Sequence, residues 1–111
     1  MEIKSLEGPS IFLEVMGLSP NIKILDFLLG EINYDFTLKE IATKSKVGYA
    51  TIKRIWSSFI DVNLVKSTRR VGKAIFYTYN QESREGKALR KFYLEIIFKA
   101  VEKETEIPVI A

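Results

Sequence analysis

Arg69, Arg70 and Lys73 crowd three cations into five residues around Gly72, and Lys53 and Arg54 stand side by side earlier in the chain. A guanidinium presents a planar fork of donors and an ammonium a compact charge, the two groups best suited to phosphate oxygens and to the edge of guanine. Like charges packed this closely repel unless an anion lies nearby; the alternative role is a charged strand edge that resists aggregation. The surrounding stretch has the same bias. Nine Lys/Arg between Thr37 and Tyr79 (Lys39, Lys44, Lys46, Lys53, Arg54, Lys66, Arg69, Arg70, Lys73) face only Glu40 and Asp61, a local charge of +7. The other residues must then sum to −4, because the whole chain carries +3. A basic block in an otherwise acidic chain is the footprint of a polyanion-binding surface.

Other chemistry is largely excluded. The sequence has neither Cys nor His, which removes disulfides, thiol redox sensing, zinc fingers and every catalytic triad built on imidazole. Glu102, Glu104 and Glu106 read as a solvated tail, not as a spaced Ca²⁺ or Mg²⁺ loop. No cofactor is expected, and no nucleophile, base and positioning group assemble into an active site, so the chain is not expected to be an enzyme. There is no apolar run of about 18 residues and no basic start followed by an apolar stretch. The expectation is a soluble, cytoplasmic protein with no membrane partner.

The elements that must position the cations can be read from periodicity. With 111 residues, 47% of them apolar, the chain has material for one domain with one core. Residues 1–18 read as an N-terminal arm or helix, 19–80 as the core of the fold and 83–103 as a terminal helix. Ser19-Pro20 caps and starts a helix carrying Ile22, Ile24, Leu25, Leu28 and Leu29, which Gly30 stops. Residues 31–36 form a loop or a short strand. Thr37-Leu38-Lys39-Glu40 is a capping box opening a short helix with Leu38, Ile41 and Ala42 on one side. Ser45-Lys46-Val47-Gly48 interrupts it. A further helix from Tyr49 to Asp61 follows, with Ile52, Ile55, Trp56, Phe59 and Ile60 at helical spacing. The pattern then changes to period two, predicting a hairpin of two strands around Val71-Gly72-Lys73.

This order predicts an α+β, mainly α fold, a winged helix-turn-helix with a two-stranded wing and a C-terminal dimerisation helix. If Ile52, Ile55, Trp56 and Phe59 are buried, Tyr49, Ala50, Lys53, Arg54 and Ser57 lie on the opposite face of their helix. Arg54 can fork onto guanine, Ala50 and Thr51 can meet thymine methyl groups, and Tyr49, Lys53 and Ser57 suit bases or phosphates. Arg69, Arg70 and Lys73 would track backbone or minor groove, and Lys46 joins the set from the turn. Trp56 reads as core packing, not a stacking platform.

The stretch from Asn21-Ile22-Lys23-Ile24-Leu25-Asp26 through Glu40-Ile41-Ala42, Tyr49-Ala50-Thr51-Ile52-Lys53-Arg54 and Val71-Gly72-Lys73-Ala74 resembles small archaeal winged helix-turn-helix transcriptional regulators, broadly MarR/ArsR-like. The likeness covers about residues 18–101. It implies that the helix from Tyr49 is the recognition helix and that the terminal helices form a homodimer. Two positions depart from the usual pattern: Lys46 stands where Gly is common, and Gly48 where an N-capping Ser is more usual.

The terminal helix is expected to pack Leu89, Phe92, Tyr93 and Ile96 on the body, leaving an apolar stripe too large for a solvated surface. Phe12, Leu94, Ile97, Phe98 and Val101 are therefore the expected dimer contacts; a membrane-surface helix fits less well, since its polar face carries both signs of charge. The function expected is sequence-specific double-stranded DNA binding and transcription regulation as a homodimer. The alternative is a winged-helix protein-interaction or single-stranded nucleic-acid module of transcription or replication machinery. A small-molecule or protein effector stays open, and the sequence names none.

Overall fold

The computed structural model describes residues 10–105, with side chains to residue 103. Residues 1–9 of the expected arm, and Glu104 and Glu106 of the acidic tail as side chains, lie outside the described residues. Five helices and three strands follow one another as α1 (Ile11–Met16), α2 (Pro20–Gly30), β1 (Phe36–Thr37), α3 (Leu38–Ser45), α4 (Tyr49–Asp61), β2 (Val65–Val71), β3 (Ala74–Tyr79) and α5 (Arg84–Thr105).

The helix starts follow their capping chemistry. Ser19 Oγ accepts from the Ile22 amide and Pro20 takes the first helical position of α2, where its missing N–H costs nothing. At α3 the Thr37 hydroxyl accepts from the Glu40 amide at 3.2 Å while the Glu40 carboxylate accepts from the Thr37 amide at 2.9 Å. Two orphan donors are satisfied reciprocally. The N-terminal apolar stretch is a short helix, with Ser10 as its cap. Ser10 also donates to Asp26 of α2 at 2.7 Å, which ties α1 to the body.

The core joins α2, α3 and α4 to the base of the hairpin. Ile24, Leu28, Ile41 and Ile52 are fully buried, with Trp56, Phe59, Val65 and Tyr79 around them. Ile60, which shares the apolar pattern of α4 in sequence, is 42% exposed. It lies about 80° around the helix from Ile52 at 100° per residue, enough to leave the buried stripe.

The sheet has three strands in the order β1-β3-β2, both pairs antiparallel. The expected hairpin is present, and Phe36–Thr37 adds a third strand on the free side of β3. Two residues are too few to show an alternation; what holds them is Phe36 packed on Phe27 at 4.9 Å between ring centroids. In β2 the register slips between Ser67 and Arg69, so Thr68 is the extra residue of a bulge.

Helix α5 begins where the chain leaves β3, and the junction is tight. Tyr79 Oη donates to the Gly86 carbonyl at 2.7 Å and the Gly86 amide donates to Ser83 Oγ at 2.8 Å. A Cβ on Gly86 would lie 1.7 Å from the Asn80 carbonyl oxygen. Backbone meets backbone here, so no rotamer change relieves the clash. Gly86→Ala should therefore cost about 2–4 kcal/mol of stability, read from urea unfolding, as overpacking against an immobile neighbour does.

Candidate nucleic-acid interface

Helix α4 owes its orientation to its buried stripe. Ile52 is 0% exposed, Trp56 3% and Phe59 5%, and Trp56 packs edge-on against Phe59 and against Tyr77 of β3 at 5.7 and 5.2 Å. That side of α4 is therefore occupied. Tyr49, Ala50, Lys53, Arg54 and Ser57 are all exposed on the other side. Thr51 is half-buried and sits at the edge of this face. Lys53 Nζ lies 5.2 Å from the centroid of the Tyr49 ring, a cation–π pair on the outward surface. Among the described residues, no ion pair or hydrogen bond holds the Arg54 side chain.

The turn before α4 keeps its geometry despite the sequence. Lys46 adopts the left-handed conformation, φ 61° and ψ 43°, and its amide donates to the Ala42 and Thr43 carbonyls. Ser45, buried beneath, donates to the Ile41 carbonyl at 2.6 Å. The turn that glycine usually serves is made here by a lysine, at a steric cost. Gly48 is the N-cap of α4 and makes no side-chain capping bond. The first amides of α4 thus lack a side-chain acceptor, at a helix end whose dipole favours anions.

The hairpin splits its cations between two faces. Arg70 is paired with Ile75 and Arg69 with Phe76; cross-strand partners share a face, and successive residues alternate. Ile75 lies on the same side as Tyr77, which meets Trp56, so Arg70 faces α4. Its Nε donates to the Gly72 carbonyl at 3.1 Å, bracing the turn. Lys73, with Tyr49, Lys39, Ile75 and Tyr77, lines a groove of about 360 Å³ between the hairpin and the starts of α3 and α4. Lys73, Tyr49 and Lys53 therefore form a continuous run from hairpin tip to helix. Lys39, outside the expected set, joins them. Its signal was available, since a lysine one residue into a capped helix, off the Ile41–Ala42 side, must face outward.

Arg69 departs from the expected set. Its guanidinium is paired with Asp35, Nε to Oδ2 at 3.0 Å and Nη2 to Oδ1 at 3.3 Å, and lies 4.0 Å from the centre of the Phe76 ring. It occupies the sheet face turned away from α4. Alternation alone explains this, because two adjacent strand residues cannot both face α4.

The expected dimer contacts are also divided. Phe12 is 1% exposed and packs edge-on to Tyr93 at 5.1 Å; it belongs to the joint between α1 and α5 of the same chain. Leu94 and Ile97 are half-buried, whereas Phe98 is 57% and Val101 47% exposed. These four fall at i, i+3, i+4 and i+7 on one flank of α5. Phe92, expected against the body, is instead exposed on the other flank. Val15, Met16 and Leu18 add exposed apolar surface at and after the end of α1.

Among the described residues there is no group of acidic side chains able to hold a metal ion, and no helix long and apolar enough to cross a membrane.

No protein-family model matches the chain, and no curated protein matches its sequence. Solved structures do. ZitR of Lactococcus lactis, as an apo mutant, is similar over 76% of this chain with a TM-score of 0.58 and 16% identity. The transcriptional regulator HlyU of Vibrio vulnificus gives 0.53 and 21% over 78% of this chain and 83% of its own. Mb0332 of Mycobacterium bovis, described as a homodimeric winged helix-turn-helix DNA-binding domain and a possible ArsR-family regulator, gives 0.57 and 18% over 78% and 75%. The fold is a winged helix. The hairpin is its wing and α3–turn–α4 its helix-turn-helix. The chain spans 63% of that ZitR chain. The three come from bacteria, so they lend no support to the archaeal side of the resemblance.

The strained turn gives a direct check. Lys46→Gly should stabilise the protein by about 0.5–1 kcal/mol in thermal or urea unfolding, the relieved left-handed strain less the added freedom of unfolded glycine.

Proposed function

We propose that this protein binds double-stranded DNA as a homodimer and regulates transcription, with α4 in the major groove and the wing on the adjoining backbone or minor groove. The observation that carries the reading is the run of Lys73, Tyr49 and Lys53 across the groove between wing and α4, continued by exposed Arg54. Arg54 is the base reader, forking onto guanine; Ala50 and Thr51 meet thymine methyl groups or the sugar edge, and Tyr49 and Ser57 flank them. Lys46, Lys53, Arg70 and Lys73 neutralise phosphates, and the α4 amides beside Gly48 suit one more.

Further support comes from similar folds. A ZitR mutant solved with DNA has a TM-score of 0.55 to this chain at 16% identity, and Mb0332 is described as homodimeric. In this reading the second copy covers the α5 flank of Leu94, Ile97, Phe98 and Val101, with Val15, Met16 and Leu18 available to extend the contact in place of the buried Phe12. A two-fold pair would present its reading helices to half-sites about 34–36 Å apart. The reaction is binding alone, in the cytoplasm, with no catalysis.

Affinity for a selected duplex should fall steeply as salt rises, because bound phosphates release counterions. Arg54→Ala should lose about 1–3 kcal/mol of discrimination at one base pair, whereas Lys73→Ala should weaken all sequences alike and lower the salt slope by about one. Undetectable or salt-insensitive binding contradicts the reading. For the dimer, sedimentation should give twice the chain mass for wild type and a monomer for Phe98→Glu; a monomeric wild type refutes it.

A further inference from the structure

We propose that Asp35 is a positioning residue for the wing: by gripping Arg69 and Thr68 across β3, it fixes the angle of the wing against α4 and keeps Arg69 off the duplex. The proposal rests on the DNA-binding reading for its functional consequence, but its structural part stands separately.

Asp35 lies two residues before Thr37, the N-cap of α3, on the segment that becomes β1. Its carboxylate nevertheless reaches β2, the strand on the far side of β3. Oδ2 accepts from Thr68 Oγ1 at 2.5 Å and from Arg69 Nε at 3.0 Å, and Oδ1 accepts from Arg69 Nη2 at 3.3 Å. The Arg69 guanidinium also lies over the Phe76 ring of β3, 4.0 Å from its centroid. Thr68 is available because it is the extra residue of the bulge. The same segment is tied to β3 again by Thr78 Oγ1, which donates to the Tyr34 carbonyl at 2.8 Å.

The position of this brace gives it leverage. β1 pairs only with Phe76 and Tyr77, and Phe76 is also the partner of Arg69. The Thr37–Phe76–Arg69 rung is thus the last one three strands wide. Beyond it Arg70, Val71, Ala74 and Ile75 form a two-stranded ribbon, which twists more freely than a wider sheet and is marginal alone. A contact at the rung where the sheet narrows sets the direction of everything beyond it, including Lys73. The hydrogen bonds from Arg69 hold the Asp35 carboxyl below its usual range, and Asp35 in turn raises the Arg69 guanidinium. Arg69 is exposed, at 55% of its side chain, and Asp35 is half-buried, at 23%; an ion pair open to solvent on one side adds little to global stability. An acid placed beside a polyanion-binding surface weakens long-range attraction, which makes sense if its use is geometric.

The test combines two measurements on wild type, Asp35→Asn, Arg69→Gln and the double variant. In the free proteins, amide hydrogen exchange at Arg70–Ile75 should quicken in all three variants, with the melting temperature little changed. In duplex titrations across salt, each single variant and the double should lose a similar factor of about three to ten, with the salt slope unchanged, since the two residues act as one unit. Unchanged wing exchange overturns the brace. Tighter binding by Asp35→Asn, together with a salt slope lowered by about one in Arg69→Gln, overturns it by making Arg69 a phosphate contact. A wild type that binds no duplex fails the DNA reading instead, and the exchange data then decide the brace alone.

Discussion

The candidate interface depends on Trp56. Its indole is 3% exposed and packs edge-on to Phe59 within α4 and to Tyr77 in the wing, so one side chain joins α4 to the hairpin. Its Nε1 is buried with no hydrogen-bond partner among the described residues, a cost of roughly 1–3 kcal/mol. Apolar contact on both sides offsets that cost. With Trp56, Ile52 and Phe59 turned inward, the opposite face of α4 has nowhere to go but solvent, and Tyr77 brings Ile75 and Lys73 alongside it. The surface is thus a consequence of the core, not a separate construction.

Around that joint the chain accepts local costs where the proposed interface lies. Lys46 holds a left-handed turn that glycine would make without strain, and Gly48 caps α4 without a side chain. Away from the interface the caps are conventional, as at Ser10 and Ser19. Lys46 and the uncapped start of α4 together place a cation and exposed helix amides where both are useful to an anion. Charge in the wing follows the same division: Arg70 and Lys73 stand on the α4 side, and Arg69 is engaged on the other.

Much of this was legible in the residues because its causes are local. Caps and apolar spacing placed α2, α3 and α4, and subtraction of the buried stripe gave Tyr49, Ala50, Lys53, Arg54 and Ser57 as the outward face of α4, all exposed; Thr51, expected at thymine methyl groups, and Ile55, expected in the buried stripe, are half-buried. What escaped the sequence was set by tertiary pairing. β1, open in sequence between a loop and a short strand over residues 31–36, is two residues long and exists because β3 offers an edge and Phe27 a partner for Phe36. Phe12 carries no mark in sequence that distinguishes packing on Tyr93 from packing on a second chain, since an apolar side chain serves either. The division between Arg69 and Arg70 follows from period-two alternation, which puts adjacent strand residues on opposite faces whatever their shared charge. The bulge at Thr68, and with it the reach of Asp35 across β3, has no sequence signal in a single chain.

The most direct test is to follow the backbone amides by NMR while a short duplex bearing a selected site is added. The account predicts that the largest shifts fall on Lys46–Ser57 and on Arg70–Lys73, with the outer sheet face around Phe76 and Thr78 little affected. Shifts confined to α5 or to the outer sheet face, or none at all at concentrations where binding is seen by another method, would contradict it.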